Sequence, residues 1–78
     1  MVEIREMIGQ QVAEIRKQRG MTQEELGERA GLSRVSIGKI ERGISEPTIT
    51  NLSQISQVLD CKFILELIPI DRSKRSFF

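Results

Sequence analysis

Apolar residues recur at helical spacing along most of this 78-residue chain. In the first segment they lie three or four residues apart on one helix face, at Ile4, Ile8, Val12 and Ile15. This stripe predicts a first helix from about Val2 to Gln18. A later stripe predicts another helix from about Ile49 to Leu59, with Thr48 as its N-cap.

Two shorter amphipathic pieces, joined by a tight turn, lie between these helices. Thr22 is a good N-cap, and Glu25 three residues later completes a capping box. Gly31 is the residue type expected just past a helix end, and Ser33 caps the next helix. The order of cap, helix, glycine turn, cap and helix is typical of a helix-turn-helix. The two predicted helices are Thr22–Ala30 and Ser33–Glu41.

The apolar period changes after residue 60. In Lys62–Ile68 the odd positions are all apolar, whereas the even positions mix charge with isoleucine. This alternation, bounded by Pro69, predicts a β-strand, and a fifth helix is the alternative. A lone strand exposes unpaired backbone N–H and C=O groups, so we expect it to pair with a second copy of the chain.

The register of that pairing follows from the side chains. Two identical strands related by a two-fold axis pair antiparallel. Centring the pair on Ile64 sets Lys62 opposite the partner's Glu66, whereas centring on either charged residue sets like charges opposite each other. We therefore expect Ile64 on the axis, with Phe63, Leu65 and Leu67 packed on helices of both chains. The predicted dimer interface is Lys62, Phe63, Ile64, Leu65, Glu66 and Leu67.

Length and composition limit the classes of function. The chain is long enough for one small core, which an oligomer would enlarge. Twelve Lys and Arg against eleven Asp and Glu give a net charge of +1, so attraction to phosphate requires clustered charges. The absence of His and the single Cys61 argue against a metal site, a cofactor, a disulfide and acid–base catalysis. Without a signal peptide or a membrane-spanning run, we expect a cytoplasmic protein, associated with the nucleoid.

The organisation predicted from these patterns has three parts. Residues 1–60 form the helix-turn-helix domain, residues 61–70 the dimerisation strand, and residues 71–78 a flexible basic tail that ends in Phe77 and Phe78. The expected fold class is mainly α, with four helices and a C-terminal strand that pairs across a homodimer.

Four short motifs of the helix-turn-helix segment match a known family in register. They are Thr22-Gln23-Glu24-Glu25-Leu26, Ala30-Gly31-Leu32-Ser33, Ser36-Ile37 and Ile40-Glu41-Arg42-Gly43. With these residues the chain resembles the Cro/repressor-type (XRE) family over about Ile8 to Leu59, which implies a lambda-repressor-like DNA-binding domain. Helices followed by a single strand are also similar to the HipB-like antitoxins, in which the strand pairs across the dimer.

The outer face of the third helix is the candidate for reading DNA, and the alternative is an ordinary solvated helix face. Arg34 can pair with guanine O6 and N7, Lys39 can reach a neighbouring acceptor, and Val35 can contact a thymine methyl group. Thr22, Gln23 and Arg42 are candidates for phosphate contact. Ser33 and Ser36 complete the predicted DNA-binding set, and in the resembled family these helix positions and Gln23 face DNA.

Two further positions bear on this helix. Arg16 and Glu41 resemble a buried ion pair of the family, which would link the first helix to the end of the third. Gly38 lies inside the third helix, where glycine costs about 0.5–1 kcal/mol relative to alanine, and the sequence offers no functional account of it beyond room for a close backbone or a partner.

These observations predict a sequence-specific repressor that binds a palindromic operator on double-stranded DNA as a homodimer. The resemblance to the antitoxins implies a toxin protein as a further partner and autoregulation of their shared operon. The alternatives are a stand-alone Cro-type regulator without a toxin, and an interaction module that has lost DNA binding. No membrane association is expected.

Overall fold

The computed structural model describes residues 3–71, which contain four α-helices and no β-strand. The predicted four-helix domain is therefore confirmed, and the helix ends differ from prediction by at most two residues, the largest difference being the start of the first helix. No helix within residues 3–71 is long and apolar enough to cross a membrane. The helices are α1 (Ile4–Gln18), α2 (Gln23–Ala30), α3 (Arg34–Glu41) and α4 (Ile49–Val58).

The helix starts have local causes that the sequence shows. Thr22, Ser33 and Thr48 each accept a hydrogen bond from the backbone N–H three residues later, at 3.0 Å. At α2 the box is complete, because the Thr22 backbone N–H donates to Glu25 Oε1 at 2.9 Å. These hydrogen bonds to Thr22 lower the pKa of the Glu25 carboxyl below its ordinary value.

A small apolar core holds the helices together. Leu26, Ile37 and Ile55 are the largest fully buried side chains, one each from α2, α3 and α4, and Val12 of α1 packs with them. Cys61 is half-buried against this core.

Glycine sets the contact between α1 and α3. Gly9 lies so close to the backbone carbonyl of Ile40 that a side chain there would collide with it, and the Glu41 carbonyl oxygen would be only 2.8 Å from an added Cβ. A second close contact lies at Gly27, where an added Cβ would be 2.6 Å from the Leu32 carbonyl oxygen. These contacts hold both ends of α3 close to α1 and α2.

The strand predicted over Lys62–Ile68 is not formed in the single chain, and neither is the alternative helix. The physical reason is that a β-ladder needs a second strand, and the rest of the described chain is helix, turn and loop. Phe63 is 37% exposed, while Leu65 and Leu67 are 68% and 95% exposed. The expected packing of Leu65 and Leu67 onto helices of their own chain is therefore wrong for the monomer. Phe77 and Phe78 lie outside the described residues.

Candidate nucleic-acid interface

A buried carboxylate fixes the position of α3. Glu41 Oε2 accepts from Arg16 Nε at 2.6 Å, and Glu41 Oε1 accepts from Arg16 Nη2 at 3.0 Å. Gln23 Nε2 donates to the same Oε1 at 2.9 Å, while Arg16 Nη1 donates to the Met21 carbonyl at 2.8 Å. The side chains of Arg16 and Glu41 are only 11% and 6% exposed. One carboxylate therefore joins α1, α2 and α3.

The pair is complementary in charge as well as in shape. The hydrogen bond to Glu41 is the main cause that raises the pKa of Arg16 above its already high ordinary value, so the guanidinium keeps its charge despite burial. Guanidinium and carboxylate meet through two parallel N–H···O bonds, which restrict both distance and angle. This geometry controls the orientation of α3 relative to α1.

The structure places the predicted base-reading residues on the outer face of α3. Arg34, Val35 and Lys39 are exposed, and Val35 is 58% exposed although it is apolar. Ile37 and Ile40 face inward and are buried. The helix therefore presents Arg34 and the bare apolar side chain of Val35 next to its capped N-terminus, and a second cation, Lys39, in its last turn.

The two serines of the predicted set have different roles. Ser33 Oγ accepts from the Ser36 backbone N–H at 3.0 Å and donates to Ser36 Oγ at 2.9 Å. Its acceptor and donor functions are thus used within the helix start. Ser36 uses its hydroxyl as an acceptor in this contact, which leaves its own O–H available to a ligand. Ser33 therefore acts as the cap of α3, whereas Ser36 keeps a hydroxyl donor that the cap does not use.

The predicted phosphate-binding residues lie at one end of the motif. Thr22 caps α2, Gln23 is the first residue of α2, and Arg42 is the C-cap of α3. Gln23 and Arg42 come together over Gly38, since an added Cβ there would lie 3.7 Å from Gln23 Oε1 and 3.2 Å from Arg42 Nη1. The Gln23 amide is held by Glu41, so the buried ion pair and this polar group are directly connected.

Sequence reasoning missed three contacts that position this surface. The sequence identifies Gln23 only as a candidate for phosphate contact, and its hydrogen bond to Glu41 has no local signal. The contact of Gly9 with Ile40 joins segments that are distant in sequence. So does the hydrogen bond that Arg19 Nε donates to the Leu59 carbonyl at 2.8 Å, which connects α1 to the end of α4. Periodicity identifies the faces of single helices, whereas these contacts depend on how the helices cross.

A second surface is an apolar groove between α1 and α4, with a volume of about 600 Å³. Its wall continues into the segment after α4. The residues lining it include Ile4, Ile8, Leu52, Cys61, Phe63 and Leu65.

Comparison with known proteins agrees with the geometry. A family model for helix-turn-helix proteins, HTH_3, matches residues 12–64, more than half of the chain. An uncharacterized HTH-type transcriptional regulator of Sinorhizobium fredii, y4dJ, is 31% identical over 72 residues, which cover 92% of this chain and 94% of y4dJ. The HTH-type transcriptional regulator SinR of Bacillus subtilis is 40% identical over 55 residues, which cover 69% of this chain but only 50% of SinR.

Solved structures show the same fold. The restriction-modification controller protein C.AhdI from Aeromonas hydrophila has a TM-score of 0.73 at 31% identity, covering 74% of this chain and 88% of that one. A structure of SinR in complex with DNA has a TM-score of 0.69 at 38% identity, covering 72% of this chain and 90% of that one.

Proposed function

We propose that this chain, which belongs to the HTH_3 helix-turn-helix family, is a transcriptional repressor that binds specific sequences of double-stranded DNA. The observation that carries the proposal is the outer face of α3, where Arg34, Val35 and Lys39 are exposed on a helix whose orientation is fixed by a buried ion pair. The similarity to SinR, whose structure with DNA is known, supports the same use of this fold.

The proposed contacts follow from the chemistry of each side chain. An α-helix fits the major groove, and residues at its N-terminal end reach the base edges. There Arg34 pairs with guanine, Val35 contacts a thymine methyl group, and Ser36 and Lys39 reach neighbouring acceptors. Thr22, Gln23 and Arg42 face phosphates, which position the domain without reading sequence.

The proposal is tested on a duplex selected from a random library by the parent protein. Arg34→Ala should cost roughly 1–3 kcal/mol on that duplex and relax the preference at one base pair. Gln23→Ala is the matched control, because loss of a phosphate contact weakens binding to selected and random duplexes alike. An unchanged ratio of specific to random binding in Arg34→Ala would show that α3 does not read the bases.

The proposed DNA-binding unit is a homodimer that binds a palindromic operator. Residues 62–67 form its proposed dimer interface. In this segment and just beyond it, Ile64, Leu65, Leu67, Ile68 and Ile70 are each at least 65% exposed. Full burial of such a side chain contributes about 1.5–3 kcal/mol to the free energy of association, and a second copy of the chain can cover these side chains. A pairing centred on Ile64 sets the partner's Leu67 opposite Cys61, which lines the apolar groove. The partner's segment would then enter the groove between α1 and α4.

The antitoxin role is the more specific hypothesis and needs a toxin as partner. The relatives described above bear the names of transcriptional regulators and a controller protein, which favours the stand-alone alternative. Co-expression with the product of the neighbouring gene separates the two: a stable complex that protects cells from that product supports the antitoxin, and independent purification supports the regulator.

A further inference from the structure

Gly38 is an unusual residue for the middle of an eight-residue helix. Glycine there lowers helix stability by about 0.5–1 kcal/mol relative to alanine. Its backbone is helical and does not need a positive φ, since Gly38 is not among the described glycines with positive φ, which are Gly20, Gly31 and Gly43. Conformational freedom therefore does not explain it.

Close approach of another backbone does not explain it either. At Gly9 and Gly27 the nearest atoms to an added Cβ belong to the backbone of another segment. At Gly38 the three nearest atoms are all in side chains: Arg42 Nη1 at 3.2 Å, Gln23 Oε1 at 3.7 Å and Arg42 Cζ at 3.9 Å. The missing side chain leaves room for a guanidinium beside an amide.

These two groups differ in how firmly they are held. The Gln23 amide is fixed from below, since its Nε2 donates to the buried Glu41 carboxylate. Arg42 is exposed, and its guanidinium folds back over Gly38. Such a guanidinium carries a full charge and several N–H donors in one plane, which suits phosphate oxygens.

We infer that Gly38 is a positioning residue that lets Arg42 lie beside Gln23, so that both side chains bind one phosphate of the DNA backbone. The inference rests on the proposed DNA binding. A Cβ at 3.2 Å from Arg42 Nη1 forces the guanidinium to move by a few tenths of an ångström or to take another rotamer. The loss of helix stability at Gly38 is then offset by a preset phosphate site.

The test combines stability and binding in a double-mutant cycle. Gly38→Ala should raise the thermal midpoint by several degrees, because alanine favours the helix. It should also weaken binding by roughly threefold to tenfold on selected and random duplexes alike, with a smaller salt dependence. A more stable protein that binds less well cannot be explained by unfolding. Gly38→Leu, which blocks the space further, should extend the loss of binding.

Arg42→Ala provides the second arm of the cycle. If Gly38 acts through Arg42, the Gly38→Ala change should cause no further loss in the Arg42→Ala background. Equal binding by Gly38→Ala and the parent would overturn the inference, as would the same loss with and without Arg42. Failure of the parent to select any duplex would overturn the proposed function, and this inference with it.

Discussion

Truncation of Glu41 is the most informative perturbation of this fold. Its carboxylate accepts three hydrogen bonds, two from Arg16 and one from Gln23. Glu41→Ala removes all three and leaves the Arg16 guanidinium buried, with only the Met21 carbonyl as a hydrogen-bond acceptor. The Gln23 amide also loses the group that holds it.

The magnitude follows from burial. The two side chains are 11% and 6% exposed, so the cation left behind is poorly hydrated. Breaking a buried pair on one side costs about 3–5 kcal/mol, most of it the penalty of the uncompensated charge. In a domain of this size each kcal/mol lowers the thermal midpoint by roughly 4–8 °C, so a loss of about 12 °C or more is expected.

The chain contains a matched control in the pair between Arg5 and Glu3. Their nitrogen and oxygen atoms are 2.9 Å apart, but the side chains are 40% and 61% exposed. Water screens such a pair, and Glu3→Ala should cost roughly 0–1 kcal/mol. Unfolding is followed by circular dichroism, since the chain has no Trp or Tyr for fluorescence. Similar losses for Glu41→Ala and Glu3→Ala would refute the assignment of a buried pair.

Two further predictions concern the dimer and the helix cap. Lys62→Glu should weaken the dimer in sedimentation experiments, and adding Glu66→Lys in the same chain should restore it. A Lys62→Glu variant as dimeric as the parent would exclude the register centred on Ile64. The folded-state pKa of Glu25 is depressed, so its contribution to stability is present above the ordinary carboxyl pKa of about 4.3 and is lost as the pH falls through the folded pKa. The stability difference between the parent and Glu25→Gln, measured by urea unfolding, should therefore shrink on acidification, and a constant difference would contradict this.

The helices could be predicted because their determinants are local. A cap such as Thr22 needs only the backbone N–H three residues later, and Gly31 ends α2 with a φ of 76° that glycine readily adopts. Apolar spacing then selects Leu26 and Ile37 for the core, and both are fully buried. Each of these signals lies within about one helical turn.

The geometry that makes a binding surface out of α3 is not local. The crossing of α1 and α3 depends on Gly9 meeting the Ile40 carbonyl, and Gly9 shows no motif of its own. The role of Gly38 depends on Arg42 folding back towards Gln23, a residue of another helix. Spacing along the chain cannot identify such contacts, because their partners are set by how whole helices pack.

Residues 62–68 represent a third case, in which the pattern predicts a strand that the single chain does not form. Alternation selects one apolar face, yet Leu67 is 95% exposed in the monomer and no ladder forms. A buried-strand pattern without a buried strand leaves a large apolar surface in water, and such surfaces on small proteins mark interaction sites. In the proposed antiparallel pair centred on Ile64, Lys62 of one copy lies opposite Glu66 of the other, so that their charges complement each other. The proposed second copy of the segment would account for both the pattern and the exposed surface, whereas the four-helix domain accounts for neither.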